Sequence, residues 1–145
     1  MEVKQPLQVF DEHSAELDTG SPHYIQFVND LAEIDVVKEG RAIRMSDSYR
    51  EHGINVNFVE IGQDVLFIRT YERGVEDETL ACGTGATSVA IMCHYLGKIK
   101  ANICHIKMPG GDLSIELEPK ENGKYENIWL TGPAKLVFKG EIDQK

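Results

Sequence analysis

Glu72-Arg73-Gly74 … Ala81-Cys82-Gly83-Thr84-Gly85, followed by the apolar run from Ala86 to Leu96, is the stretch that decides the fold. A charged pair closes a strand-like segment, and a cysteine precedes a Gly-Thr-Gly turn that opens a helix. The helix has almost no polar face, with Ala86, Val89, Ala90, Ile91, Met92, Cys93, Tyr95 and Leu96 spread around it. A helix apolar on all sides is buried on all sides, so this one is expected to run through the middle of the domain. Gly97 stands where a left-handed C-terminal cap is wanted. The N-terminus then carries a thiol, open backbone N–H groups and the positive end of the helix dipole. Such a place suits an anion and favours a thiolate.

Working outward, the pattern predicts strands on both sides. Val3 to Phe10 reads as a strand, Asp11 to Gly20 as a polar loop, and Tyr24-Ile25-Gln26-Phe27-Val28 as a strand after the Ser21-Pro22-His23 punctuation. Asp35 is an N-cap for a helix to about Met45, although Glu39-Gly40 in its middle weakens it. Ile54 to Ile61 alternates with period two, as a half-buried strand does, and Val65 to Tyr71 pairs back on it after Gly62-Gln63-Asp64. Beyond the central helix, Ala101 to Met108, Leu113 to Glu118, Ile128-Trp129-Leu130 and Leu136-Val137-Phe138 read as strands. Pro109-Gly110-Gly111 and Asn122-Gly123 supply turns between them. Roughly seven or eight strands and two helices make an α+β domain, its curled, mostly antiparallel sheet wrapped as a half-barrel around the central buried helix.

Composition bounds the function. At 145 residues the chain is one domain by size. A net charge of −9 argues against nucleic acid and against an anionic membrane surface. No apolar run reaches the ~18 residues of a membrane span, and Met1-Glu2-Val3-Lys4-Gln5-Pro6 lacks the apolar core of an export signal. Cys82, Cys93 and Cys104 have no C-x-x-C spacing, so no zinc or other metal site is expected. Three thiols without an export signal fit a reducing, cytoplasmic setting.

Each candidate residue has an ordinary reading. A lone cysteine is most often a packed core residue. Cys93 and Cys104 fit that description, whereas Cys82 sits at a helix start, where a thiolate is favoured. Glu72-Arg73 would ordinarily be a solvated pair. Eight residues separate Arg73 from Cys82, so the loop returns close by and makes a carboxylate, a guanidinium and a thiol neighbours. Asn55 and Asn57 share one face of their strand, ordinarily a solvated one. Other cysteine chemistries fail by pattern: a cysteine phosphatase needs Arg where Ser88 stands, and a P-loop needs Lys-Ser/Thr where Gly85-Ala86-Thr87 stands.

At Tyr71-Glu72-Arg73-Gly74 … Glu78-Thr79-Leu80-Ala81-Cys82-Gly83-Thr84-Gly85 the chain resembles diaminopimelate epimerase, in the part that opens the central helix of its C-terminal domain. Asp18-Thr19-Gly20-Ser21-Pro22-His23, Gly53-Ile54-Asn55-Val56-Asn57-Phe58 and Met108-Pro109-Gly110-Gly111 resemble three further family segments, in the same order. Members are roughly twice this length, as two domains of ordinary size are. The resemblance therefore implies half of a two-domain epimerase fold, with the N-terminal domain and its second catalytic cysteine absent from these residues.

The resemblance also implies roles. Cys82 is similar to one of two catalytic cysteines that act without any cofactor, one removing the α-proton and the other delivering one to the opposite face. Gly83 and Thr84 resemble the backbone donors to the α-carboxylate, and Glu72 the group meeting the α-ammonium. His23 resembles a helper of the acid–base pair. Arg73 and Asn55 resemble ligands of the substrate's distal carboxylate and amine. Ser21 replaces the usual Asn there and is shorter, with fewer hydrogen bonds to give. A small molecule, diaminopimelate, is the implied substrate. The implied partners are the missing domain and a second copy in a homodimer. Two other readings stay open: half of a related enzyme, such as a proline racemase or a phenazine-biosynthesis-type isomerase, or a non-catalytic binding or assembly domain. With one such thiol, the chain alone is expected to be inactive.

Overall fold

A computed structural model describes residue 3 and residues 7–143. Among these, nine strands and two α-helices follow in order: β1 (Gln8–Val9), β2 (Ser14–Asp18), β3 (Pro22–Phe27), α1 (Val36–Arg44), β4 (Asn55–Ile61), β5 (Leu66–Glu72), β6 (Asp77–Thr79), α2 (Gly83–Tyr95), β7 (Ile103–Met108), β8 (Gly111–Pro119) and β9 (Tyr125–Thr131). One curled sheet holds all the strands in the order β1-β2-β3-β4-β5-β7-β8-β9, with β6 a short flap on the end of β5. Two neighbouring pairs are parallel, β3 with β4 and β5 with β7. The others are antiparallel. The β5–β7 ladder is short, its register running through Leu66↔Ile106 and Phe67↔Lys107.

This topology dictates where the helices go. Parallel neighbours need a crossover, and such crossovers are right-handed. Because β5 runs opposite to β3, two right-handed crossovers must lie on opposite faces of the sheet. The core divides accordingly. Around α2 it contains Ala86, Val89, Ala90, Ile91, Met92 and Cys93, packed by Ile25, Val59, Leu66, Ile68, Ile106 and Ile115. Val36 of α1 packs on the other face with Leu31, Ile54, Val56, Phe58 and Tyr71. Each fully buried aliphatic side chain contributes about 2 kcal/mol of transfer free energy, so a charge at Ile91 would break the half-barrel from within.

The two helices confirm the sequence reading. α2 is buried from Gly85 to Cys93, and Gly97 follows it with φ +68°. Asp35 caps α1, its side chain accepting from the Lys38 N–H at 3.1 Å. Gly40, which counted against that helix, has a packing reason. A Cβ there would lie 2.4 Å from Tyr71 Cβ, so the glycine lets α1 press onto β5.

Several expectations need correction. Residues 11–20 are not a loop throughout: Ser14–Asp18 is β2, paired along β3. Its polar members Ser14, Glu16 and Asp18 hid the alternation with Ala15 and Leu17. Residues 4–6 of the expected first strand lie outside the described residues, and Gln8–Val9 is the part that pairs. β4 is not half-buried, since helices cover both its faces and Asn55 to Val59 are all buried. Asn122-Gly123 does turn the chain between the antiparallel β8 and β9, as expected, within a short 3-10 helix. Leu136-Val137-Phe138 forms no strand and stands 82 to 85% exposed.

Candidate functional site

The β3 start, the β4 start and the β5 end lie at one edge of the half-barrel, because β3 and β4 run parallel and β5 runs against them. His23 pairs with Asn55 in register. β6 folds back from β5 and leads directly to Cys82, the N-cap of α2. The polypeptide thus brings Ser21, His23, Asn55, Glu72, Arg73 and Cys82 to one end of the domain from four separate elements.

One cluster forms around the sulfur. Cys82 is extended, with φ −138°, and half-buried. Its Sγ lies 3.6 Å from Thr84 Oγ1. The Thr84 hydroxyl also meets His23 Nε2 at 2.9 Å. His23 is fully buried, and burial pushes its imidazole down to about 4 from 6.5, with Asp18 and Arg73 as opposing weaker influences. Asn57 contacts the other ring nitrogen, Nδ1, at 3.1 Å. Gly85 makes room for this. A Cβ at that position would sit 2.5 Å from Asn57 Oδ1. Thr19 ties the first turn of α2 to the β2–β3 turn by donating to the Thr84 carbonyl at 2.8 Å. Gly83, Thr84 and Gly85 open the helix, where backbone N–H groups have no intrahelical acceptor. An anion would be stabilised there.

A second cluster lies beside it. Asn55 Nδ2 donates to Ser21 Oγ at 2.8 Å and to the Pro22 carbonyl at 3.1 Å, while its Oδ1 accepts from the Arg73 N–H at 2.9 Å. Arg73 Nη2 donates to Ser21 Oγ at 3.3 Å and Nη1 to the His52 carbonyl at 3.0 Å. Ser21 Oγ accepts from both neighbours, so its own proton points away from them. A carboxylate arriving here would find a hydroxyl donor and a guanidinium. The turn bearing Arg73 is fastened from behind by Glu76. Its carboxylate accepts from the Gly74 N–H at 3.2 Å, Tyr71 O–H at 3.0 Å and Arg44 Nε at 3.2 Å.

Glu72 stands half-buried at the end of β5, and its carboxylate accepts from the Thr79 hydroxyl at 2.8 Å. That bond fixes it on the flap leading to the thiol rather than on the sulfur itself. The Pro109-Gly110-Gly111 turn buttresses the same approach, Gly110 N–H donating to the Leu80 carbonyl at 2.7 Å.

Every site residue singled out in the sequence lies at this end. The ordinary reading of Asn55 and Asn57 as a solvated face is overturned, since they are 4% and 0% exposed. Asn57, Thr70, Thr19 and Ser88, all buried and polar, have no role assigned from the sequence. The available signal was the second asparagine, two residues along the same strand face as the first. Among the described residues no group of three or more His, Cys, Asp or Glu side chains could hold a metal ion. Nor is any helix among them long and apolar enough to cross a membrane.

Comparison with known proteins adds to this geometry. Residues 16–137 match the family described as diaminopimelate epimerase. A protein of that name from Flavobacterium psychrophilum is 50% identical over 127 residues, covering 87% of this chain and 49% of the relative. Another, from Chlorobaculum tepidum, is 46% identical over 127 residues, covering 87% and 48%. The chain spans about half the length of the curated relatives it matches. Among solved structures, a phenazine biosynthesis protein of the PhzF family from Bacillus anthracis shares the fold. Its TM-score is 0.56 at 19% identity, over 82% of this chain and 36% of that one.

Proposed function

The chain belongs to the diaminopimelate epimerase family, and from that premise we propose that it is the C-terminal half of an enzyme interconverting LL- and meso-diaminopimelate in the cytoplasm. The observation that carries this is the joining of two unlike clusters at one end of the half-barrel. Cys82, Thr84 and His23 gather at a helix N-terminus. Ser21, Asn55 and Arg73 lie beside them. The first suits a reacting amino-acid centre and the second a remote charged end, and diaminopimelate has both.

The chemistry follows from the weak acidity of an α-proton. The Cys82 thiolate takes the proton from Cα onto Sγ, and the electron pair left on carbon delocalises into the α-carboxylate. The N–H groups of Gly83 and Thr84 hold that carboxylate, where the helix dipole favours the growing charge. Glu72 meets the α-ammonium. A thiol on the companion half delivers its own proton to the opposite face, which inverts the centre. The reverse reaction exchanges the two thiols' roles. Arg73, Asn55 and Ser21 hold the distal amino-acid end and keep the reacting carbon between the two sulfurs.

The test supplies the second thiol. The 145-residue chain is mixed with, or fused to, the N-terminal half of the Flavobacterium psychrophilum relative and given LL-diaminopimelate, with products separated by chirality. We expect turnover by the joined halves, none by this chain alone, and loss of turnover in Cys82→Ala. Failure of the joined protein to turn over while folded would refute the epimerase assignment. Turnover by this chain alone at an ordinary enzymatic rate would refute the two-thiol division.

A further inference from the structure

We infer that Asn57 and Thr70 are positioning residues that set the direction of hydrogen bonding between the sheet and the Cys82 sulfur, so that the Thr84 hydroxyl donates to Sγ. The inference rests on the reading of Cys82 as an acid–base thiol, and it adds residues to which neither the family match nor the sequence gives a role.

The direction follows from one group that can only accept. The Tyr24 carbonyl lies 3.1 Å from the Asn57 amide nitrogen. Turning the amide over would set two oxygens against each other, so the nitrogen must face Tyr24. Thr70 Oγ1 donates to Asn57 Oδ1 at 2.9 Å and holds the same orientation from the other side. The remaining amide proton then points at His23 Nδ1, 3.1 Å away. Nδ1 must accept, which leaves the ring proton on Nε2. Nε2–H donates to Thr84 Oγ1 at 2.9 Å. The threonine's own proton is left for Cys82 Sγ at 3.6 Å.

The surroundings keep this order intact. His23, Asn57 and Thr70 are each 0% exposed, so water does not compete. Burial keeps the imidazole neutral near pH 7. A doubly protonated ring could not accept from Asn57. Asp18 and Arg73, the charged groups nearest His23 in effect, pull its protonation in opposite directions. Glu72, on the strand that precedes the flap, is engaged by Thr79. A chain of donors ending on sulfur matches a thiolate, which accepts but cannot donate. A thiol proton would instead compete with that of Thr84 for the same line.

The first experiment reads the tautomer in the unmodified chain. Long-range proton–nitrogen correlation of labelled His23 near neutral pH should place the proton on Nε2, and a proton on Nδ1 would overturn the proposal. The second reads the sulfur. Iodoacetamide alkylation, mapped by peptide, separates Cys82 from Cys93 and Cys104, whose thiols burial pushes up to about 12. We expect Thr84→Val and Asn57→Asp to slow labelling of Cys82 by about tenfold, one decade of thiolate population. Thr70→Val should fall between these and the unmodified chain, and Thr84→Ser should label at the unmodified rate. Labelling of Thr84→Val at the unmodified rate would overturn the proposal, even where Asn57→Asp does not fold. Neither readout uses diaminopimelate, so a failed epimerase assay leaves them standing, and a reversed tautomer leaves the epimerase reading standing.

Discussion

At the scale of single residues, His23 links the candidate site to stability. In the unfolded chain an imidazole takes up its proton below 6.5, while the folded chain resists until about 4. Falling pH therefore favours the unfolded chain throughout that window, and the loss is complete below it. A separation of this size corresponds to about 3 kcal/mol. The urea midpoint should fall steadily between pH 6.5 and 4, and His23→Gln, even if less stable at neutral pH, should fall less across it. Parallel declines in both proteins would assign the acid sensitivity to other groups. Much of the site was legible at this scale because Cys82, Glu72-Arg73, Asn55 and Ser21-Pro22-His23 stand in a recognisable order. Asn57 and Thr70 were not. A polar side chain in an alternating strand looks solvated until one knows that a helix covers that face, and the covering helix comes from elsewhere in the sequence.

At the scale of elements, the β5–β6 turn carries Arg73 and depends on Glu76. That residue sits at φ +60°, a strained backbone for a side chain with a Cβ. Three hydrogen bonds to its carboxylate, one from the Arg44 guanidinium, hold it there. Glu76→Ala should cost about 2 kcal/mol of unfolding free energy, measured by urea denaturation at neutral pH. A cost near zero would mean that the turn holds itself. α2 was readable end to end because one signal, apolarity on every side, fixes both its helicity and its place. β6 was invisible because Asp77-Glu78-Thr79 has no strand composition. It forms through register with β5 and through the two-pronged bond from Arg69 to Glu78, with Nε–Oε1 at 2.7 Å and Nη2–Oε2 at 2.8 Å. Leu136-Val137-Phe138 errs the other way, with strand composition but nothing to pair with among the described residues.

At the scale of the molecule, large apolar side chains stand uncovered on β9 and in the segment that follows it. Trp129 is 66% exposed, and Leu136, Val137 and Phe138 follow it in the chain, still more exposed. Apolar side chains left this open to water favour association. Light scattering over a concentration series should show the chain self-associating, and Leu136→Ser combined with Phe138→Ser should leave it monomeric. A chain that stays monomeric at every concentration would refute this. The half-barrel itself was foreseeable from an all-apolar helix among alternating strands, whereas its split into two faces depends on strand directions that no local pattern records. The short β5–β7 ladder has a consequence in time. Strands β7, β8 and β9 are tied to one another by long antiparallel registers. They meet the earlier strands through Leu66↔Ile106 and Phe67↔Lys107 and through the packing of α2. A short seam of this kind is where cooperative units of a protein separate. Hydrogen exchange should find the amides of the last three strands released together, ahead of those in β3, β4 and β5, as a door swings on two pins before its frame gives way.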